Sequence, residues 1–209
     1  IWGLRSISGC VATPLWHIDA VRSWGPSIVP NSPEGGRCPF HLGRIAPEKR
    51  PDPAVEIARR ADVPLVIAAK VDNADRSYFE HSIEDLFRDP LVSFCGEVTD
   101  LRKDEFLGNA RALLFPIDWP EPFGLVLVEA LACGTPVIAF RNGSVPEIID
   151  DGVTGFIVDT IEEAVVAVGH TGQLNRRRCR QVFEERFTAA RMAHAYLETY
   201  EKVLADHRR

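Results

Sequence analysis

The sequence predicts a Rossmann-like α/β domain, a doubly wound parallel sheet with helices on both faces. Short apolar segments rich in Val, Ile, Leu and Phe alternate repeatedly with helical segments across residues 37–170. These short segments lack the apolar–polar alternation of half-exposed strands, as expected when parallel strands are covered on both sides. Helical patterns then continue to the C-terminus, where they would close the domain.

Each element is predicted from a local pattern. The first helix starts at Pro51, which suits a first helical turn, and it presents an apolar face that includes Ile57. Ser144 and Glu147 have the Ser-x-x-Glu spacing of a capping box at the start of a short helix. The predicted strands are 38–43, 63–69, 91–95, 110–116, 135–140 and 154–158, and the predicted helices are 51–60, 75–87, 101–107, one between Glu121 and Gly134, a short one from Ser144, 161–168, about 174–187 and about 189–205.

The first 36 residues differ from the rest of the chain. They show no period of two or of 3.6 residues, and they are rich in Gly and Pro. We interpret residues 1–36 as an irregular segment, either a linker or the remnant of a preceding domain, and residues 37–209 as the folded domain. Three of the four tryptophans lie in the first segment, at Trp2, Trp16 and Trp24.

Composition excludes several classes of protein. The net charge of −6 argues against nucleic-acid binding, which usually requires a basic face. No apolar run is long enough to span a membrane, and the N-terminus lacks the pattern of a signal peptide. The five cysteines show no metal-ligand spacing, so no metal site is predicted, and Cys95 and Cys133 are expected to be buried reduced thiols. We therefore expect a cytoplasmic protein.

Basic residues follow two of the predicted strands. Gly43, Arg44 and Lys49 come after the first strand, and Lys70 comes directly after the second. Because the carboxyl ends of parallel strands lie at one edge of the sheet, these cations are expected to converge on an anion. The alternative is that Arg44, Lys49 and Lys70 are solvated surface charges.

Two carboxylates, Glu121 and Glu129, bracket the predicted start of a helix after the fourth strand. If residues 121–129 were helical throughout, the two would be about 12 Å apart, comparable to the span of a sugar and a ribose joined by a diphosphate. Free amides of Phe123, Gly124 and Leu125 could lie near the phosphates or the sugar hydroxyls. The alternative is that Glu121 only complements the helix dipole and that Glu129 is a surface residue, although its apolar neighbours imply a partner.

Taken together, these motifs resemble the nucleotide-sugar-binding C-terminal domain of glycosyltransferase family 4, whose members are retaining enzymes with the two-domain GT-B fold. The resemblance covers residues 37 to about 205. It rests on Gly43-Arg44 with Lys49, Phe94-x-Gly96-x-Val98, Glu121-x7-Glu129 around Pro-Phe-Gly, Gly134-Thr-Pro-Val137, Ser144-Val-Pro-Glu147 and Gly152-x-x-Gly155-Phe156.

The resemblance implies a role for each matching residue. Arg44 and Lys49 would bind the donor diphosphate and stabilise the departing charge, and Glu121 would bond to the donor sugar. Glu129 would hold the ribose. The remaining donor contacts would come from Gly43, Lys70, Phe94, Gly96, Val98, Pro122, Phe123, Gly124 and Leu125, with Phe94 to Val98 bordering the base. The family needs no bound metal to stabilise the phosphates, and the nucleotide diphosphate sugar is a substrate rather than a cofactor.

The chain also departs from the family pattern. The N-terminal acceptor-binding domain is missing, so this fragment is expected to be inactive alone and to need that domain in the same protein or in a partner chain. In the family, a glycine commonly follows the first lysine of the motif and another precedes the second lysine. Arg50 and Ala69 stand at these positions here, next to Lys49 and Lys70, and Ala69 weakens the assignment of Lys70. The predicted function is hexosyl transfer from a nucleotide diphosphate sugar to an unknown acceptor. A free-standing nucleotide-sugar-binding module is the alternative, and the two-carboxylate, two-cation set argues against a receiver-like or flavodoxin-like domain.

A row of arginines at residues 176–180 lies outside these motifs. We interpret it as a solvated helix face, with a peripheral membrane contact or an interdomain contact as the alternative.

Overall fold

The computed structural model describes residues 38–207, except for the side chains of residues 100, 101 and 206. The segment predicted to be irregular, 1–36, lies outside the described residues. The sheet has six parallel strands in the order β3-β2-β1-β4-β5-β6, which confirms the predicted doubly wound fold. The strands are β1 (Phe40–Arg44), β2 (Leu65–Lys70), β3 (Val92–Phe94), β4 (Leu113–Phe115), β5 (Val137–Phe140) and β6 (Gly155–Val158).

Seven α-helices connect and cover these strands in the described part of the chain, together with a segment of mixed helical turns between β2 and β3. They are α1 (Pro51–Ala61), α2 (Asp100–Asn109), α3 (Leu125–Ala132), α4 (Val145–Ile148), α5 (Ile161–His170), α6 (Arg176–Arg186) and α7 (Ala189–His207). Three of the helix starts in the described residues have side-chain caps, and the one at α7 is the Thr188 hydroxyl, which accepts from the Arg191 amide. The Thr160 hydroxyl accepts from the Glu163 amide at α5, and the Asn175 side chain accepts from two amides at α6. Each cap satisfies amides that have no partner within the helix.

Two predicted helical features are wrong in detail. The segment 73–88 is not one α-helix, because it passes through a 3₁₀ turn, a single α-turn at Arg76–Tyr78, a π-helical stretch at Phe79–Ile83 and a second 3₁₀ turn. The π register is made by the Glu84 amide, which donates to the Phe79 carbonyl. Ser144 precedes α4 as predicted, but its side chain caps nothing, and its buried hydroxyl has no hydrogen-bond partner among the described residues.

The core has two layers, one on each face of the sheet. One layer lies beneath α2, α3, α4 and α6, and it includes Leu113, Leu127 and Phe183. The other lies beneath α1, α5 and the 73–88 segment, and it includes Ile57 and Ile67. Two buried layers of this kind explain why the strands are apolar on both faces.

Not every apolar context in the sequence corresponds to burial. Cys133 is buried as predicted, and burial raises the pKa of its thiol to about 12. Cys95, also predicted to be buried, is exposed, because it follows the edge strand β3 and has a neighbouring strand on one side only. Within the described residues, no helix combines the length and the apolar character needed to cross a membrane.

Candidate functional site

The candidate site lies at the carboxyl edge of the sheet, where the strand order reverses. β1 and β4 are neighbours in the sheet, but the chain leaves β1 toward β2 and leaves β4 toward β5. The loops that follow these two strands therefore diverge and leave a crevice between them, which is where doubly wound sheets bind ligands. Lys49 lies in the first loop and Glu121 in the second.

Lys49 and Glu121 form an ion pair across this crevice. The Nζ atom of Lys49 is 2.5 Å from Oε2 of Glu121, and the two side chains are 26% and 19% exposed. Lys49 is the last residue of a 3₁₀ turn, Pro47–Lys49, in the first loop. The two loops are also joined by a backbone hydrogen bond, in which the Asp118 amide donates to the Glu48 carbonyl at 3.1 Å. The fold thus brings together two predicted site residues that lie 72 positions apart.

Arg44 and Lys70 are cross-strand neighbours at the ends of β1 and β2, and carboxylates surround both. Both are the last residues of their strands, rather than the residues after them as predicted. Arg44 contacts Glu48 at 2.6 Å, Asp75 at 3.5 Å and Asp72 at 3.9 Å, and Lys70 contacts Asp72 at 2.9 Å. Hydrogen bonding to Asp72 raises the pKa of Lys70 above its usual value. An anion approaching these cations would therefore compete with protein carboxylates.

Glu129 lies in α3 and has a partner that the sequence did not identify. Its side chain is 13% exposed, and one carboxylate oxygen is 3.6 Å from the Nζ atom of Lys103 in α2. The need for a partner was predictable from its apolar neighbours, but not the identity of a residue in another helix. The distance of about 12 Å between the two glutamates assumed that residues 121–129 are helical throughout. That assumption is wrong, because α3 begins at Leu125 and Glu121 lies in the preceding loop.

Gly124 precedes α3 as its N-cap in the left-handed conformation, with φ of 72°. Within the described part of the chain, the amides of Gly124 and Leu125 donate no hydrogen bond, as is usual at a helix start, although Gly124 is buried and Leu125 half-buried. Pro122 and Phe123 are exposed beside them. Gly43 is also exposed, with no atom within 4 Å of the position that a Cβ would take.

The predicted base-binding segment, Phe94 to Val98, begins with the last residue of β3 at the far side of the site. Phe94 is partly exposed, and its ring packs against Phe87 with centroids 4.9 Å apart. Gly96 has a φ of 70°, and its carbonyl accepts from the Ala69 amide, so this segment continues the sheet edge. Val98 is half-buried against the core. The strand order places β2 and β1 between this segment and the loop of Glu121.

Comparison with known proteins agrees with this architecture. The family model described as glycosyl transferases group 1 matches residues 28–169 of the chain. This chain belongs to the group 1 glycosyltransferases.

Individual relatives of this group 1 chain are distant and longer. A D-inositol 3-phosphate glycosyltransferase of Streptomyces griseus is 30% identical over 205 residues, covering 85% of this chain and 41% of the relative. An N-acetyl-alpha-D-glucosaminyl L-malate synthase of Bacillus anthracis is 26% identical, covering 80% and 46%. The chain thus spans less than half the length of these relatives.

Solved structures show the same fold at low identity. The Anabaena protein HepE, crystallised with UDP and glucose, has a TM-score of 0.69 at 20% identity, covering 87% of this chain and 55% of that one. The sucrose-phosphate synthase of Thermosynechococcus elongatus has a TM-score of 0.68 at 22% identity, covering 90% and 49%.

In this group 1 chain the arginine row at 176–180 is not the solvated face that we predicted. Arg176 is buried, and its guanidinium donates to the carbonyls of Gly108 and Ala110. Arg180 donates to the Ala132 carbonyl at 2.7 Å. Both side chains turn inward because the ends of α2 and α3 present carbonyls that have no partner within their own helices. Of the four arginines in the row, Arg177 is exposed, and Arg178 and Arg180 are half-buried.

One supporting turn of the group 1 site was missed in the sequence. Asn142 donates its side-chain amide to the Ile117 carbonyl at 2.8 Å, and the Ser144 amide donates to the Glu121 carbonyl at 2.9 Å. Gly143 between them has a φ of 53°, and a Cβ there would lie 2.3 Å from the Glu121 carbonyl oxygen. The Asn-Gly pair after β5 is a turn signal that could have indicated this contact.

A buried histidine lies near this site without a predicted role. His41 of β1 bonds through Nδ1 to the Leu114 carbonyl at 3.2 Å, and its Nε2 has no partner among the described residues. Burial lowers its pKa to about 4, so the ring is neutral near pH 7. Across residues 38–207, no three His, Cys, Asp or Glu side chains are grouped so that they could hold a metal ion.

Proposed function

We propose that residues 37–209 form the donor-binding domain of a retaining glycosyltransferase of family 4, one half of a GT-B enzyme. The reaction is transfer of a hexosyl group from a nucleotide diphosphate sugar to an acceptor. The acceptor-binding half would be a second domain of the same protein or of a partner chain. Group membership supports glycosyl transfer, and the retaining chemistry and the family rest on the motifs that the chain carries.

The Lys49–Glu121 pair at the strand-order reversal is the observation that carries the proposal. The pair places a cation and a carboxylate within one hydrogen bond of each other at the edge where such folds bind ligands. A diphosphate would take the lysine, and the hydroxyls of the attached sugar would take the glutamate. A phosphate site alone would have no use for the half-buried carboxylate of Glu121.

Positive charge for the leaving group comes from several sources in this proposal. Arg44 offers a forked guanidinium, Lys49 adds a point charge, and the start of α3 adds the amides of Gly124 and Leu125, which donate no hydrogen bond within the described residues. We propose that these groups stabilise the diphosphate without a metal ion. Arg44 would exchange its contacts with Glu48, Asp72 and Asp75 for phosphate oxygens when the donor binds.

In the reaction, the bond between the anomeric carbon and the diphosphate oxygen breaks, and the diphosphate leaves with the electron pair. The acceptor hydroxyl attacks from the same face, and its proton passes to a diphosphate oxygen. Arg44 and Lys49 stabilise the charge that develops on the leaving group. Glu129 holds the ribose, and the segment from Phe94 to Val98 borders the base.

Calorimetric titration of the 209-residue chain with UDP, GDP and ADP in the presence of EDTA tests the proposal. We expect one of the three to bind, and Lys49→Ala to weaken that binding by about 10- to 100-fold, as expected for a charge-assisted hydrogen bond. Lys202→Ala, at an exposed position of α7, is the matched control and should bind like the wild type. Failure of all three nucleotides to bind at millimolar concentration would refute donor binding. Hexosyl transfer by this chain alone would refute the need for a second domain.

A further inference from the structure

The backbone of Arg50 is held in a conformation that arginine rarely adopts. Arg50 joins the 3₁₀ turn to α1 with φ of 48° and ψ of 61°, in the left-handed region. Among the described residues, Asp62 is the only other non-glycine with positive φ, and aspartate tolerates it through local hydrogen bonds. Glycine would adopt the Arg50 conformation without strain, so contacts of the arginine side chain must offset that strain.

The Arg50 side chain makes two different ion pairs. Its Nε and Nη2 atoms each lie 3.1 Å from an oxygen of the Asp52 carboxylate, in the first turn of α1. The remaining Nη1 atom is 3.0 Å from Oδ2 of Asp118, in the loop after β4. The forked contact with Asp52 fixes the plane of the guanidinium, and this orientation directs Nη1 to the other loop.

These contacts join the same two loops that carry the proposed donor site. Arg50 directly follows Lys49, and Asp118 lies three residues before Glu121. The Arg50–Asp118 and Lys49–Glu121 pairs therefore join the same two stretches of chain, as does the backbone bond from the Asp118 amide to the Glu48 carbonyl.

We propose that Arg50 is a positioning residue for this site, which holds the β4–α3 loop through Asp118 so that Glu121 meets Lys49 before the donor arrives. The inference rests on the proposed function, because it assigns Arg50 a role in preparing the donor site. In this role Arg50 acts through Asp118 and needs no contact of its own with the donor.

The effect belongs to the geometry of the site rather than to overall stability. The Asp118 side chain is 69% exposed and that of Arg50 is 37% exposed, and exposed ion pairs contribute little to the free energy of unfolding. Removing the link should therefore leave the fold intact and loosen the Glu121 loop. If Arg50 served only to bind Asp52 at the start of α1, its removal would not affect the position of Glu121.

The first experiment needs no ligand. Urea unfolding of Lys49→Met, Glu121→Gln and the double variant gives the coupling between Lys49 and Glu121. The same cycle is then measured in an Arg50→Gly background and in an Asp118→Asn background. We expect the Lys49–Glu121 coupling to fall by at least half in each of the two backgrounds. In thermal unfolding, the midpoint temperature of Arg50→Gly alone and of Asp118→Asn alone should stay within about 4 °C of the wild type. An unchanged coupling in both backgrounds would overturn the proposal.

The second experiment measures affinity for whichever of UDP, GDP and ADP binds the wild-type chain. We expect Arg50→Gly and Asp118→Asn each to weaken binding by about 3- to 10-fold, with the double variant no weaker than either single one, as for residues acting through one contact. Arg60→Ala, on the exposed face of α1, is the control and should bind like the wild type. Additive losses, or full affinity in Asp118→Asn, would overturn the positioning role. If no nucleotide binds at all, the proposed function fails, and the unfolding cycles still decide whether Arg50 positions Glu121.

Discussion

Replacing the buried Arg176 should destabilise the domain far more than replacing its neighbour in the same helix turn. Arg176 opens α6 with 5% of its surface exposed. Its guanidinium donates to the carbonyls of Ala110 and Gly108 at 2.8 Å and to the Thr135 hydroxyl at 2.9 Å. The two carbonyls belong to the end of α2, so the cation also meets the negative end of that helix.

The expected magnitude follows from these contacts. Hydrogen bonds to a charged donor each contribute about 1.5–3 kcal/mol, and Arg176→Met removes three of them. Part of that loss is offset, because the variant no longer keeps a cation out of water. Burial already lowers the pKa of Arg176, which reflects this desolvation cost. We expect a net loss of about 2–4 kcal/mol in the free energy of unfolding.

Urea unfolding monitored by circular dichroism measures this loss. Arg177→Met in the same turn is the matched control, and because Arg177 is exposed it should change stability by less than about 0.5 kcal/mol. Arg176→Lys keeps the charge but not the fork, so it should fall between the two. Equal stabilities of Arg176→Met and Arg177→Met would refute the view that the ends of these helices depend on the buried guanidinium.

Two further outcomes follow from single contacts. Gly143→Ala should lower the free energy of unfolding in urea by about 2 kcal/mol or more, because Gly143 has a positive φ and a Cβ there would lie 2.3 Å from the Glu121 carbonyl oxygen. Gly169→Ala, at an open helical position, should be neutral or stabilising. Equal effects of the two substitutions would contradict the close approach. The pKa of His41 falls from 6.5 to about 4 on folding, so between these pH values the unfolded chain binds more protons than the folded one. The free energy of unfolding should therefore decrease by about 3 kcal/mol in total as the pH drops from 6.5 to 4. His41→Gln should remove this part of the pH dependence and His194→Gln should not, and an unchanged slope in His41→Gln would refute the assignment.

The sheet and the helix order were predictable because they follow from local periodicity. Predicted strands of five to seven residues and the stripe of α1 follow directly from the sequence, and the structure confirms them with boundary shifts of up to three residues. The 73–88 segment shows what such patterns leave open. Its apolar residues indicate a helical segment but do not show where α hydrogen bonding gives way to 3₁₀ or π hydrogen bonding. The packing of Phe79 and Phe87 against Phe94 accompanies the irregular form.

The position of the proposed site residues at one edge of the sheet was predictable, but their pairing was not. Parallel strands place Arg44, Lys70 and the Glu121 loop at one edge whatever the details of packing, so the convergence could be foreseen. The partner of Glu129 could not, since Lys103 lies in another helix and no local spacing relates the two. The same holds for Asp72 and Asp75 beside Arg44, which come from the segment after the neighbouring strand β2.

By itself, the sequence determined the doubly wound class, the edge at which Lys49 and Glu121 lie, and the motifs of a group 1 glycosyltransferase. Only the tertiary structure decided which polar groups meet, that Arg176 turns inward, and that Arg50 links two loops through Asp118. The physical reason is that periodicity reports which face of an element avoids water, and that information is local. A hydrogen bond or an ion pair needs two atoms within about 3 Å, and that depends on how separate elements pack.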